Sequence, residues 1–392
     1  MKLAARRVVA ALAAVPVVGM LASLAPASAS GRPPLPSANA RIGGPLMASS
    51  GVVVNYPAHG ALPLPDVPAS AYVIADANTG AVLAAKDPHG LFPPASTLKV
   101  LTAISLLPKL NPNMLVTATK MAASVEPNIV GLIPGHEYKV ADLFRALLLI
   151  SANDAAVSLA QATGSFAKGM AMINAEAHHL QAYDVVAKVP NGLPATGQVV
   201  SAYDLALIAR QALSMPSFMK YDQTLTARFP LSKHKQVGML NQNYLLTQYR
   251  GGIGGKIGWT IKAEATYIGM ARRHGVTLIA TILHCTSLQE IISAEKLLTW
   301  GFAMVSHVRP VGTLVAPLRP APAHLAHKGV TKPRSAANHG AANVNGSLAA
   351  GTSTSHAGQV AIGGAIAAVL CAGLVGFILL RRRAAAAKKP AG

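Results

Sequence analysis

The chain has 392 residues, 52% of them hydrophobic and 12% charged, which excludes a wholly disordered protein and supplies apolar material for one large folded body or two small ones. Its formal charge of +20 points toward nucleic acid only until it is divided by position: all 14 acidic residues lie between Asp66 and Glu295, and the stretch from Asp66 to Lys296 carries 19 Lys and Arg, a net of +5. The other +15 sits in the two ends, as in targeting and juxtamembrane segments, so nucleic-acid binding by the folded part is the weaker reading.

Met1-Lys2-Leu3-Ala4-Ala5-Arg6-Arg7, the uncharged apolar run after it and the small-x-small site Ala27-Ser28-Ala29 predict a secretory signal peptide over 1–29, cleaved after Ala29. Residues 30–69 read as an N-terminal linker. Two short apolar strands, 71–75 and 81–85, joined through Asp76-Ala77-Asn78-Thr79-Gly80, predict a hairpin. An apolar helix follows over 98–107, with Ser96 at its beginning behind Phe92-Pro93-Pro94-Ala95. Residues 140–150 and 154–162 carry helical spacing on either side of the polar break Ser151-Ala152-Asn153. A second hairpin is expected from 266–270 and 276–283 around Arg272-Arg273-His274-Gly275, and a last helix over 291–305. Between the two hairpins the signal is largely helical. Strands at both ends of the body with helices between them predict an α+β domain over 70–307, its mainly antiparallel sheet assembled from distant segments.

Residues 308–358, rich in Ala, Pro, Gly, Ser, Thr and His, read as a flexible tether. The uncharged apolar stretch over 359–380 is long enough to cross a bilayer as a helix, and Arg381-Arg382-Arg383 opens a basic tail over 381–392. The basic tail and the upstream signal peptide give one topology, a single-pass membrane protein with its body outside the cytoplasm and its tail inside. Of the two cysteines, Cys371 lies in the membrane segment and Cys285 has no partner in the body, so no disulfide framework is expected. The 13 histidines lack metal-ligand spacing, and no metal site is expected.

Three short motifs occur in order: Ser96-Thr97-Leu98-Lys99, Ser151-Ala152-Asn153 and Lys256-Ile257-Gly258. Each alone is weak, since Ser232-Lys233-His234-Lys235 and Ser37-Ala38-Asn39 are decoys of the same form. Three residues apart at a helix start, Ser96 and Lys99 share one face. A serine hydroxyl needs a neighbour to take its proton, and a lysine can do so only when burial or a nearby like charge discharges its ammonium. Lys256 is a candidate for that like charge.

With their surroundings, Pro94-Ala95-Ser96-Thr97-Leu98-Lys99-Val100-Leu101-Thr102-Ala103, Leu147-Leu148-Leu149-Ile150-Ser151-Ala152-Asn153-Asp154-Ala155-Ala156 and Gly255-Lys256-Ile257-Gly258-Trp259-Thr260 resemble the penicillin-binding D-alanyl-D-alanine carboxypeptidases, serine peptidases that trim peptidoglycan stem peptides. Asn191-Gly192-Leu193-Pro194, Ser201-Ala202-Tyr203-Asp204-Leu205-Ala206 and Trp300-Gly301-Phe302 extend the resemblance to about residues 70 to 305. It implies a β-lactamase/transpeptidase-like fold, a mainly antiparallel sheet flanked by helices with an inserted helical subdomain. It also implies that Ser96 is the nucleophile, Lys99 its base, and Ser151 the relay of a proton to the leaving amine. Asn153 would hold Lys99 and the substrate amide, and Lys256 would attract the substrate carboxylate. The backbone N–H groups of Ser96 and Trp259 would form the oxyanion hole, with Gly258 between Lys256 and Trp259 on a strand beginning at Lys256. Water completes the cycle, so no cofactor is implied, and β-lactam antibiotics are the expected inhibitors.

One departure matters. The family usually has Lys-Thr-Gly at the third motif, and Ile257 removes the hydroxyl that bonds the terminal carboxylate. Losing such a bond costs about 1.5 to 3 kcal/mol, or roughly 10- to 100-fold in recognition. Besides the carboxypeptidase, the sequence therefore leaves two alternatives: a catalytically weakened peptidoglycan-binding homologue, and a β-lactamase-like hydrolase.

Overall fold

The computed structural model describes residues 42–319. The expected signal peptide, membrane segment, basic tail and most of the tether lie outside them; among the described residues no helix is long and apolar enough to cross a membrane.

The chain enters through β1 (Val52–Val54) and then builds the expected hairpin from β2 (Ala69–Asp76) and β3 (Ala81–Lys86). Its turn is fixed locally: Asp76 Oδ1 accepts the Asn78 N–H at 2.9 Å and Oδ2 the Thr79 hydroxyl at 2.8 Å. The helical insertion follows with α1 (Leu98–Leu106), the short strand β4 (Leu115–Thr117), α2 (Lys120–Ala123), its partner β5 (Glu137–Lys139), α3 (Val140–Leu149), α4 (Asn153–Gln161), α5 (Phe166–His179), α6 (Ala202–Leu213) and α7 (Pro216–Asp222). A further hairpin, β6 (Thr226–Ser232) and β7 (Lys235–Leu240), precedes α8 (Leu245–Gln248). The chain then returns to the sheet through β8 (Gly252–Thr260), β9 (Glu264–Arg273) and β10 (Val276–Cys285), and closes with α9 (Glu290–Met304) and β11 (Gly312–Thr313).

The main sheet runs β1-β3-β2-β10-β9-β8, and every pairing in it is antiparallel, including that of β11 with β3. The first hairpin thus meets the last one directly, Ile74 opposite Ala280, across an insertion of more than a hundred residues. Alternation along β2 divides its side chains between two cores. Ala71, Val73 and Ala75 face the helical insertion with Leu147, Leu205 and Ile208. Tyr72 and Ile74 face the other way, onto Leu297, Leu298 and Trp300 of α9. The expected α+β fold, an antiparallel sheet flanked by helices, holds.

Two features differ from the sequence reading. The segment between the hairpins is not only helical: it contains the β4–β5 and β6–β7 pairs. Pro230 and the exposed Arg228 break the apolar pattern of β6. Phe229 is nonetheless fully buried there, with its ring 5.3 Å from that of Tyr138. The folded body also extends past both ends of 70–307. Strand β1 pairs with the outer edge of β3, the Thr313 N–H bonds the Gly43 carbonyl at 2.8 Å, and the Tyr203 hydroxyl bonds the Thr313 carbonyl at 2.7 Å. Strands of three and two residues carry too little periodicity to be legible, but they cover the exposed edge of β3.

Candidate active site

The edge strand β8 lies against the turn that precedes α1. The expected helix start at Ser96 is a 3-10 turn, Ala95–Thr97, that feeds α1. Ala95 enters it with φ 45, a left-handed conformation costly for a residue with a side chain. Two hydroxyls hold this turn through the Pro94 carbonyl: Thr97 Oγ1 at 2.6 Å and Thr266 Oγ1, from β9, at 2.9 Å. The strand carrying Lys256 begins at Gly252, four residues earlier than expected. Gly258 sits over the turn, where a Cβ would lie 2.6 Å from the Ser96 backbone nitrogen and 3.0 Å from that of Thr97. Only glycine leaves these amide groups approachable at that position.

Ser96 is half-buried, while Lys99, one turn on, is fully buried. Lys99 Nζ lies 2.8 Å from Ser96 Oγ, 2.7 Å from Asn153 Oδ1 and 2.6 Å from the Asn191 carbonyl oxygen. The latter two atoms can only accept, so they occupy two N–H groups of the amine. A neutral amine then has its lone pair left for the Ser96 hydroxyl proton. Burial drives the Lys99 ammonium well below its ordinary range, the Lys256 charge adds to this, and Asp154 partly opposes it. The geometry and the electrostatics thus favour the same protonation state, that of a general base.

Asn153 begins α4, and its position is over-determined. Its Nδ2 donates to the Glu126 carbonyl at 2.7 Å, and its backbone N–H to the Asn128 carbonyl at 2.7 Å. Asp154 beside it, fully buried, accepts the N–H groups of Val130 at 3.1 Å, Gly131 at 2.8 Å and Leu132 at 3.0 Å. The start of α4 therefore holds this loop at two points, Glu126 and Asn128 through Asn153 and residues 130–132 through the Asp154 carboxylate. Ser151 is buried with φ 61, and its Oγ has no hydrogen-bond partner among the described residues. A strained residue presenting an unsatisfied buried hydroxyl is a recurrent mark of a functional site.

Lys256 is 2% exposed, and its Nζ donates to the Ile257 carbonyl at 2.8 Å. Burial pushes its ammonium down to about 7, with Asp222 pulling the other way. Ile257, on the opposite face of the pleat, packs half-buried on the α9-side core. Trp259 stands at the rim, 45% exposed, with its indole N–H on Ser287 Oγ at 2.8 Å. The structure thus brings Ser96, Lys99, Asn153 and Gly258 together and couples Lys256 to Lys99 by charge, while Ser151 Oγ has no hydrogen-bond partner among the described residues and the Trp259 indole N–H is turned to Ser287. The sequence reading gave no role to Asp154, Asp222 or Thr266. The decoy Ser232-Lys233-His234-Lys235 forms the β6–β7 turn.

Among the described residues, one grouping of histidine and carboxylates is close enough to share an ion: the ligand atoms of His89, Asp184 and Asp204 lie within 4.8 Å of one another. Its atoms are already engaged in holding the chain. His89 Nδ1 is 2.6 Å from Asp184 Oδ2 and Nε2 is 3.0 Å from the Ile42 carbonyl, while Asp204 Oδ2 accepts the Asp184 N–H at 2.7 Å.

Comparison with known proteins gives concordant matches. The family model for D-alanyl-D-alanine carboxypeptidase matches residues 58–287. The D-alanyl-D-alanine carboxypeptidase DacB2 of Mycobacterium tuberculosis is 38% identical over 251 residues, 62% of this chain and 86% of that protein. The chain spans 62% and 64% of the lengths of relatives from Bacillus subtilis and Escherichia coli, which are 27% and 30% identical. Among solved structures, a D-alanyl-D-alanine carboxypeptidase from Mycobacterium tuberculosis is 37% identical with a TM-score of 0.61, covering 67% of this chain and 99% of its own. A Streptomyces K15 DD-transpeptidase variant is 27% identical with a TM-score of 0.58, covering 61% of this chain and 99% of its own. A family match across more than half the chain, on a fold that sets a serine beside a buried lysine, means that the chain belongs to the D-alanyl-D-alanine carboxypeptidase family of serine-type peptidases.

Proposed function

We propose that the protein removes the terminal D-alanine from peptidoglycan stem peptides through an acyl-enzyme at Ser96. The observation that carries this reading is the fully buried Lys99 amine, 2.8 Å from Ser96 Oγ, with its other hydrogens directed at two acceptors. As Ser96 Oγ bonds to the carbonyl carbon between the two D-alanines, its proton passes to Lys99, and the charge on the carbonyl oxygen falls to the Ser96 and Trp259 N–H groups. Ser151 Oγ gives its proton to the departing amine and takes the one held by the Lys99 ammonium in its place, so the C–N bond breaks, D-alanine leaves and Lys99 is neutral again. Water then attacks the ester, the neutral Lys99 taking its proton and returning it to Ser96 Oγ as the ester C–O bond breaks. Asn153 keeps the amine aimed, and Lys256 attracts the substrate carboxylate. A β-lactam enters by the same attack and acts as an inhibitor where its ester is slow to hydrolyse.

The family works on the cell wall outside the cytoplasm. For this chain we add the arrangement that its ends support: export by the segment over 1–29, and anchoring by a helix over 359–380 with the basic tail on the cytoplasmic side. The test is release of D-alanine from a pentapeptide ending in D-alanyl-D-alanine by the purified full chain. Release that disappears in Ser96→Ala supports the proposal, and release that persists in that variant refutes it.

A second reading, a weakened wall-binding homologue, is favoured by Ile257 alone. Ile257→Thr separates the two. The hydroxyl should raise the rate of Ser96 acylation by a penicillin by about 10-fold, the kinetic equivalent of one hydrogen bond to a charged group. The measurement is the time course of fluorescent-penicillin labelling, and an unchanged rate removes residue 257 as a cause of weak turnover.

A further inference from the structure

Asp222 ends α7 directly behind β8, and its side chain is fully buried. One carboxylate oxygen, Oδ2, accepts the Gly255 N–H at 2.8 Å, so the group is fastened to the residue immediately before Lys256. The other, Oδ1, is buried with no hydrogen-bond partner among the described residues. The strand makes room for it: a Cβ on Gly254 would run into Oδ2, so an alanine there would expel the carboxylate. The helix end is itself tied down, the Asn241 side-chain amide donating to the Asp222 carbonyl at 2.9 Å. A half-satisfied carboxylate in the core costs free energy that a packing role alone would not repay.

That bond to Gly255 sets the carboxylate beside the backbone of Lys256, the next residue, which is also buried and whose charge acts on it; among the described residues Lys256 is in no ion pair. The remaining titratable groups around the pair are Tyr267 of β9, whose hydroxyl is held on Asn243 Oδ1, and Lys99 of α1, which in turn faces Asp154 of α4. We infer that Asp222 is a positioning residue for the reaction: fixed on the Gly255 amide, its carboxylate keeps Lys256 cationic, so that Lys256 can attract the substrate carboxylate and hold Lys99 neutral. The inference rests on the carboxypeptidase reading of the site. Burial pushes Asp222 up to about 7 and Lys256 down to about 7, each opposed by the other, so near neutral pH the two groups exchange protonation as a pair.

The test uses Asp222→Asn in the full chain, which keeps an acceptor for the Gly255 N–H and the side-chain volume but removes the charge. Without the carboxylate Lys256 loses its proton at lower pH. The alkaline limb of kcat/KM for D-alanine release should therefore move down by about one pH unit or more. At pH 7 and above the change should appear as a raised KM, and toward lower pH the variant should approach the wild type. A lost structural contact would instead scale activity down equally at every pH. Profiles that superimpose after scaling overturn the inference while leaving the carboxypeptidase reading intact.

A second measurement needs neither the variant nor activity. With 13C labels on Lys Cε and Asp Cγ of the wild-type chain, NMR should find Asp222 and Lys256 titrating together near neutral pH. An Asp222 carboxyl that completes its titration in the ordinary carboxylate range, with Lys256 unresponsive to it, overturns the inference. If the wild type releases no D-alanine, the carboxypeptidase reading falls, and this titration still decides the coupling.

Discussion

Lys99→Arg should lower the rate of Ser96 acylation by about 10²- to 10⁴-fold, the usual worth of a general base, although the substitution keeps a long polar side chain in place. Arginine keeps its proton at any pH at which the protein is folded, so it has no lone pair to offer the Ser96 hydroxyl. It must also place a planar guanidinium where Asn153 Oδ1 and the Asn191 carbonyl now accept from one tetrahedral amine at 2.7 and 2.6 Å. The pH dependence carries the same signature. In the wild type, kcat/KM should fall toward acid pH as Lys99 gains a proton, and toward alkaline pH as Lys256, pushed down to about 7 by burial, loses one. The arginine variant should lose the acid limb, because the group that produced it no longer titrates. Penicillin acylation rates between pH 5 and 9, followed by fluorescence, read both effects. An arginine variant that acylates at the wild-type rate would remove Lys99 from the role of base.

The second large effect is expected at Asp154, one residue beyond the second motif. Asp154→Ala strands the N–H groups of Val130, Gly131 and Leu132 and removes a carboxylate that is fully buried. Because hydrogen bonds to charged groups are the stronger ones, the variant should lose about 3 to 5 kcal/mol of stability, read as a lower urea midpoint. Activity should suffer beyond the loss of fold. The loop that Asp154 organises supplies the Glu126 and Asn128 carbonyls that hold Asn153, and Asn153 in turn holds the Lys99 amine. A displacement of that amine by about 1 Å should cost on the order of 10²-fold in acylation, measurable at low temperature where the variant remains folded. Wild-type stability and rate in Asp154→Ala would show that residues 126–132 do not depend on this carboxylate.

What the sequence made legible were features that depend on neighbours in the chain. Ser96 and Lys99 are three residues apart, so a helical turn alone brings them together, and Ser151-Ala152-Asn153 interrupts two strong helical patterns. The two outer hairpins carry long apolar runs with turn residues between them, which suffices to place the antiparallel sheet. Contacts between distant segments were not legible. Nothing near Asp222 in sequence indicates that it meets the Gly255 amide, 33 residues on, and Asp154 finds its loop 22 to 24 residues back. The Lys99 partner Asn191 lies 92 residues away and contributes a backbone carbonyl, an atom that every residue type carries. Strand β6 was hidden for a different reason: Pro230 stands between its buried Phe229 and Leu231, and a proline inside so short an alternation argues against a strand.

The central claim is that Ser96 is a nucleophile activated by a buried, neutral Lys99. Intact-mass spectrometry of the full chain after incubation with a penicillin, followed by peptide mapping, addresses it directly. One penicilloyl group on Ser96, absent from Ser96→Ala and slow to form in Lys99→Arg, is the result expected from the 2.8 Å contact between the hydroxyl and the amine. An adduct on any other residue, or a folded wild-type protein that stays unmodified at high penicillin concentration, would contradict it.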